Sequence, residues 1–172
     1  MRSIVPRTVV VLLALVLGLA ISGPGSVSAK ATRTAVEGLA LTPGFGGAEP
    51  WIDSAGGYHF RHFQITWSHF SLYGQGVGIQ GTATTDMNGN TDKDGTGPIS
   101  GTFLVQTEAD GVIWEGRFHG RAVGWMVCAV VTAHGKGPYA GKLLQLDMEE
   151  NDPSDVFRDE FDLSGWILDL GQ

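Results

Sequence analysis

The chain has 172 residues, with 11 basic and 18 acidic side chains and a formal net charge of −7. That acidic balance argues against nucleic acid and anionic membranes as partners, because both are bound through basic surface. A single cysteine, Cys128, excludes an internal disulfide, so stability must come from packing and hydrogen bonds.

The first segment in chain order reads as an export signal. Arg2 and Arg7 supply positive charge, Val9 to Ile21 is an apolar run, and Val27-Ser28-Ala29 ends a polar stretch with small or aliphatic residues where signal peptidase needs them. The apolar run is shorter than the roughly 20 residues that span a bilayer. The pattern predicts cleavage after Ala29, a mature chain of residues 30–172 beginning at Lys30, and a secreted or extracytoplasmic location. No cysteine precedes the cut to accept a lipid. Residues 1–29 carry two of the 11 basic side chains and none of the acidic ones, so the mature net charge is −9. No second apolar segment is long enough to cross a membrane, and 30–172 is expected to fold as one domain.

Twenty-three of the 26 glycines lie after Ala29, about twice the usual share, and they are spaced rather than clustered. Glycine at short intervals marks turns, bulges and bends in sheets. Nothing in the mature chain keeps a helical period. Strands are expected near 34–41, 57–67, 75–85, 99–108, 111–121, 125–134, 141–149 and 160–168. Turn signals separate them at Pro43-Gly44, Asn88-Gly89, Asp94-Gly95, Asp110-Gly111, Gly135 to Pro138 and Asp152-Pro153. Many short strands without helix predict an all-β fold, and about eight of them predict a single antiparallel β-barrel. In 111–121, Val112, Trp114, Gly116 and Phe118 share one face while Ile113, Glu115, Arg117 and His119 share the other. The strand at 57–67 mixes polar and apolar groups on both faces, which suggests a partly polar interior. Cys128, within the run VCAVV, is expected to be a buried, inert thiol.

Five stretches can be taken together: WIDSAGGYHFRH from Trp51, GTGPISGTF from Gly95, VIWEGRFHG from Val112, HGKGPYAGK from His134 and FDLSGWILD from Phe161. Their order of G-x-G, W-E-G-R-F, H-G-x-G-x-Y-x-G and L-x-G-x-I resembles a group of small secreted bacterial proteins similar to the allene oxide cyclase-like (dirigent-like) β-barrels. The resemblance implies an eight-stranded antiparallel barrel with an apolar central cavity. It implies binding or cyclisation of a small apolar or phenolic molecule, with no cofactor. It rests on glycine and aromatic positions, so it transfers no catalytic residue.

The residues themselves offer several candidate chemistries. HGKGPYAGK has the look of a phosphate loop, but five residues separate Gly135 from Gly141, Leu143 follows Lys142, and no helix is expected; a β-turn is the better reading. Within DMNGNTDKDG, from Asp86, the residues Asn90, Asp92, Asp94 and Gly95 fit the start of a calcium loop, yet its twelfth position is Gly101 rather than a bidentate Glu. His59, His62, His69, His119 and His134 contain no H-x-H pair to place two ligands on one strand face, so no metal is expected. No G-x-S-x-G elbow supports a serine hydrolase. Glu115, Arg117 and His119 share a face, either as an acid, an anion clamp and a base inside a cavity or as an outer face stitched by ion pairs. The candidate ligand-binding residues are therefore His62, Glu115, Arg117, His119 and Tyr139 as polar groups, with Trp51, Tyr58 and Trp114 as walls. Trp114 and Glu115 point to opposite sides of one strand, so both cannot face the interior. The leading expectation is a secreted barrel for a small, mostly apolar molecule, with cofactor-independent isomerase or cyclase activity as its enzymatic form. The alternative is an extracellular interaction protein with a filled core.

Overall fold

A computed structural model describes residues 31–151 and 160–171. The predicted signal peptide and the Asp152-Pro153 turn lie outside the described residues. Among the described residues nine strands form one sheet: β1 (Thr32–Gly47), β2 (Trp51–Ile52), β3 (Tyr58–Gly74), β4 (Val77–Thr91), β5 (Gly97–Thr107), β6 (Gly111–Val123), β7 (Met126–Gly135), β8 (Lys142–Glu150) and β9 (Phe161–Asp169). Each of β3 to β8 pairs antiparallel with the next, and β1 pairs with both β9 and β3. Eight strands thus close into a barrel, and β2 lies outside it, paired only to the start of β3. Closure satisfies the backbone groups that an open sheet would leave on its edges. The all-β, antiparallel, eight-stranded expectation holds.

Every strand expected from the sequence is present, and the main differences are in length. β1, β3 and β4 run further than the turn signals allowed, because Pro43-Gly44 lies within β1 and Asn88-Gly89 within β4. The remaining expected turns among the described residues fall at the ends of strands or between them. At Asp110-Gly111 the glycine takes a positive φ of 66°, and at Asp94-Gly95 one of 72°. The β6–β7 connection is the two-residue turn Gly124-Trp125, with φ of 61° and 74°. Positive φ at both central residues is the hairpin geometry whose twist matches that of the flanking strands.

The mixed faces of β3 have a local cause. Register shifts between Phe60 and Phe63 and between Trp67 and Phe70 mark β-bulges. Each bulge inserts a residue and re-phases the strand. Arg61 and His62 are therefore both exposed between the half-buried Phe60 and Phe63, and Ser68 and His69 are both exposed between the buried Trp67 and Phe70. The expectation of a partly polar interior is corrected: the strand changes phase, and the only buried polar residues among those described are Thr85 and Thr91. Cys128 is corrected too. On β7 the buried positions are Ala129, Val131 and Ala133, so strict alternation turns Cys128 outward and exposes it.

The core divides along the barrel axis. The end carrying the β3–β4 and β5–β6 hairpins is filled by Leu72, Ile79, Val105, Trp114 and Leu144, all buried. A 3-10 turn, Gly137–Tyr139, covers this end and sets Tyr139 against Trp114 at 5.0 Å between ring centroids. Fully burying an aliphatic or aromatic side chain contributes about 1.5–3 kcal/mol, so this end supplies much of the stability. The opposite end carries the β4–β5 and β6–β7 connections and the β1–β3 crossover, and it is not filled.

Candidate functional site

At that second end the barrel encloses a cavity of about 380 Å³. Its walls come from inward positions of successive strands. β3 contributes Phe60, Phe63, Ile65 and Trp67, which can line one wall only because the bulge at Arg61-His62 returns the strand to the same phase. β4 contributes Thr85, Met87 and Thr91, and β6 contributes Phe118 and Ala122. The far wall holds Val127, Ala129, Met148 and Phe161. The rings support one another: Trp67 meets Phe161 edge-on at 5.5 Å, Phe60 lies 5.7 Å from Phe63, and Phe45 stacks on Phe63 at 6.0 Å. Such pairs hold their geometry more firmly than area burial alone requires.

The rim is built by the turns. Trp125 lines the cavity while 38% exposed, and Phe45 does so while 51% exposed, so apolar surface continues from the interior to the solvent. Trp125 is held in place from three sides. Its backbone N–H donates to the Gly95 carbonyl at 3.2 Å, its ring takes the edge of Tyr58 at 4.7 Å, and its indole lies over Gly95, where any Cβ would collide with it. The Gly124 N–H donates to Thr96 Oγ1 at 3.1 Å, which ties the β6–β7 turn to the β4–β5 turn. Also at the rim, the Val127 N–H donates to Glu150 Oε2 at 2.8 Å.

A polar cluster lies outside the barrel beside this mouth. His59 is bonded through Nε2 to Asp53 Oδ2 at 2.9 Å and through Nδ1 to Asn90 Oδ1 at 2.8 Å. Asp53 Oδ1 also accepts from the Ala55 and Gly57 N–H groups. Arg61 donates from Nη2 to Asn90 Oδ1 and from Nη1 to the Phe60 and Gly89 carbonyls, and Trp51 stacks on His59 at 5.1 Å. Two acceptors facing the two ring nitrogens favour the imidazolium: the Asn90 bond, then Asp53, raises the His59 pKa above its ordinary value. The hydrogen bond from His59, then those from Gly57 and Ala55, hold Asp53 below its own.

The expected site residues do not gather at the cavity. Trp51 stands on β2, half exposed, against His59. Tyr58 reaches the site through Trp125. His62 is exposed on the first bulge with φ of 53°, its Nδ1 3.2 Å from Asp86 Oδ1. Trp114 faces inward but lies fully buried in the filled end, its Nε1 without a hydrogen-bond partner among the described residues. Glu115, Arg117 and His119 all lie on the outer face of β6, with Glu115 3.2 Å from Lys136 Nζ, so the inward acid, clamp and base arrangement is not formed. Tyr139 sits at the filled end, its pKa raised first by burial and then by Asp110. Sequence reasoning missed Phe60, Phe63, Phe118 and Phe161. Their signal was available as inward alternation, but on β3 the bulge concealed it.

The stretch from Asp86 splits between strand and turn. Asp86 to Thr91 belong to β4, and in the turn beyond it Asp92 Oδ1 accepts from the Asp94 and Thr96 N–H groups. No group of three or more His, Cys, Asp or Glu among the described residues is placed to hold a metal ion.

Fold and site together define a class: a closed antiparallel β-barrel with one packed end and one open, aromatic-walled cavity. Beyond that class, no protein-family model, no curated protein and no solved structure matches the chain.

Proposed function

We propose that this chain is an exported barrel that binds a small, mostly apolar or phenolic molecule in its open end. One observation carries the proposal: a cavity of about 380 Å³, walled almost wholly by aromatic and aliphatic side chains, reaches solvent through an aromatic rim. Its volume falls within the range of small-molecule sites. Phe45 and Trp125 pack on Phe63 and Tyr58 yet remain 51% and 38% exposed, and at the mouth of a ligand site they extend the apolar path inward. The resemblance to allene oxide cyclase-like barrels supports the same reading, and the pattern of residues 2–29 supports export. Isomerisation or cyclisation of the bound molecule is the enzymatic form of this proposal. It would depend on shape and exclusion of water, because Glu150 is the only carboxylate in the described lining.

The test is direct. Protein recovered from the medium, its intact mass beginning at Lys30, should bind a neutral naphthalene-type fluorophore saturably at one site. Phe118→Ala or Trp125→Ala should change that binding, while Arg117→Ala on the outer face should not. Absence of saturable binding by folded protein would favour the interaction-protein alternative, and retention of Val9 to Ile21 would remove export.

A further inference from the structure

We infer a second binding site on the outside of the barrel, a track for a neutral oligosaccharide centred on Tyr73. It is separate from the cavity and does not depend on the cavity being occupied. Strand alternation and register build it. Phe70 and Leu72 on β3 face the core, so Ser71 and Tyr73 face out. Their partners on β1 are Leu39 and Glu37, and beyond these on β9 stand Asp162 and Ser164. On the other side, β4 sets Gln80 opposite Ser71 and Gly78 opposite Tyr73, and Thr82 leads on to Gln106 of β5. Two open grooves, of about 710 and 720 Å³, follow these rows and meet at Ser71 and Tyr73. Together they cross β9, β1, β3, β4 and β5, a span of roughly 19 Å at about 4.8 Å between strands.

The side chains along the track set the ligand class. Tyr73 is 50% exposed, yet its hydroxyl accepts a hydrogen bond from Gln80 Nε2 at 2.8 Å, which holds the ring and leaves the phenolic hydrogen to donate. Its neighbour Gly78 has no side chain, and even a Cβ there would meet nothing within 4 Å, so β4 offers nothing at that position to cover the ring. One exposed tyrosine is ordinary, but one held by a side-chain bond at the junction of two polar grooves is a platform. A held aromatic face suits the flat C–H face of a sugar ring. The amides of Gln80 and Gln106 and the carboxylates of Glu37, Glu108 and Asp162 line the grooves and meet the hydroxyls at a sugar's edge, since they supply donors and acceptors along the track. The same three carboxylates repel an anionic polymer, which leaves a neutral one.

Affinity electrophoresis in native gels tests the track with four soluble neutral polymers, a mixed-linkage β-glucan, arabinoxylan, galactomannan and dextran, and with anionic polygalacturonate. At least one neutral polymer should retard the wild type, and polygalacturonate should not. Tyr73→Ala should weaken that binding by about tenfold, through loss of the stacking face. Tyr73→Phe keeps the face and should lose less, and Gln80→Ala should also weaken binding. Arg117→Ala, on the outer face of β6, should change nothing. Circular dichroism and the urea midpoint establish that each variant is folded. Calorimetry should show the hexasaccharide of the retarding polymer binding more tightly than its disaccharide, and equal binding of the two would overturn a track across five strands. No retardation by any neutral polymer, or undiminished binding by folded Tyr73→Ala and Gln80→Ala, would overturn the site. Equal retardation by polygalacturonate would overturn the neutral class. None of these results bears on the cavity, which the fluorophore titration tests by itself.

Discussion

His59 shows how much a single residue's surroundings decide. Alone it would titrate near 6.5, but acceptors on both ring nitrogens raise its pKa, while its pairing lowers that of Asp53 from 3.8. The sign follows for each partner. The contribution of His59 is fully present below pH 6.5 and is lost as pH rises through its raised folded value. That of Asp53 is present above 3.8 and is lost as pH falls through its depressed one. The clamp joining β2 and the start of β3 to Asn90 is therefore complete between about pH 4 and 6.5. A histidine NMR titration should place the His59 midpoint above 6.5, and the protection factor of the Asp53 N–H against hydrogen exchange, corrected for base catalysis, should fall as pH rises through that midpoint, since this N–H is bonded to the Gly57 carbonyl at 2.9 Å. His59→Gln should abolish that pH dependence. A midpoint at or below 6.5 would mean that the two bonds do not hold in solution.

The elements that matter most are the two turns at the mouth. Trp125 takes a positive φ that a bulky residue rarely adopts, and a cost of about 1–3 kcal/mol for such a conformation must be offset by its surroundings. Gly95 is the chief of these, since its own positive φ and missing side chain both serve the indole above it. Gly95→Ala should displace Trp125 from the rim. The expected result is a red shift of tryptophan emission and weaker binding of a neutral apolar fluorophore, with strand content by circular dichroism unchanged. Unaltered emission and binding would show that the turn absorbs the extra methyl without moving the ring.

At the scale of the whole barrel, one end is packed and the other is open, and equal substitutions should cost unequal amounts. Phe103 is completely buried and meets Phe70 at 6.1 Å. Phe118 is also buried, but it borders the cavity and lacks neighbours on that side. Phe103→Ala should lose about 3–5 kcal/mol, the usual cost for a closely packed phenylalanine. Phe118→Ala should lose clearly less, because the removed ring gave up some of its contacts already. Urea unfolding of the two variants measures the difference, and equal losses would indicate that the cavity closes in solution.

Most of the fold could be read along the chain, and most of the site could not. Glycine spacing, alternation and turn residues are local properties, so they located all eight barrel strands and the hairpins at Asp110-Gly111 and Asp94-Gly95. Alternation on β6 reduced the choice to two faces, Trp114 or Glu115 with Arg117 and His119, but a two-fold period carries no label for which side is the inside. Bulges erased the signal on β3. Each adds one residue for reasons of cross-strand register, so Phe60 and Phe63 appear out of phase in the sequence and share a wall in the barrel.

What the sequence determined by itself was an all-β chain with its strands in order and an acidic surface, because those depend on residue type and on neighbours a few positions away. Only the tertiary structure decided that Cys128 and the charged trio of β6 face outward, that Trp114 fills one end, and that an apolar cavity occupies the other. These depend on closure of β1 against β3, a contact between segments far apart in the chain, and on where the sum of the inward side chains falls short of filling the space that closure creates.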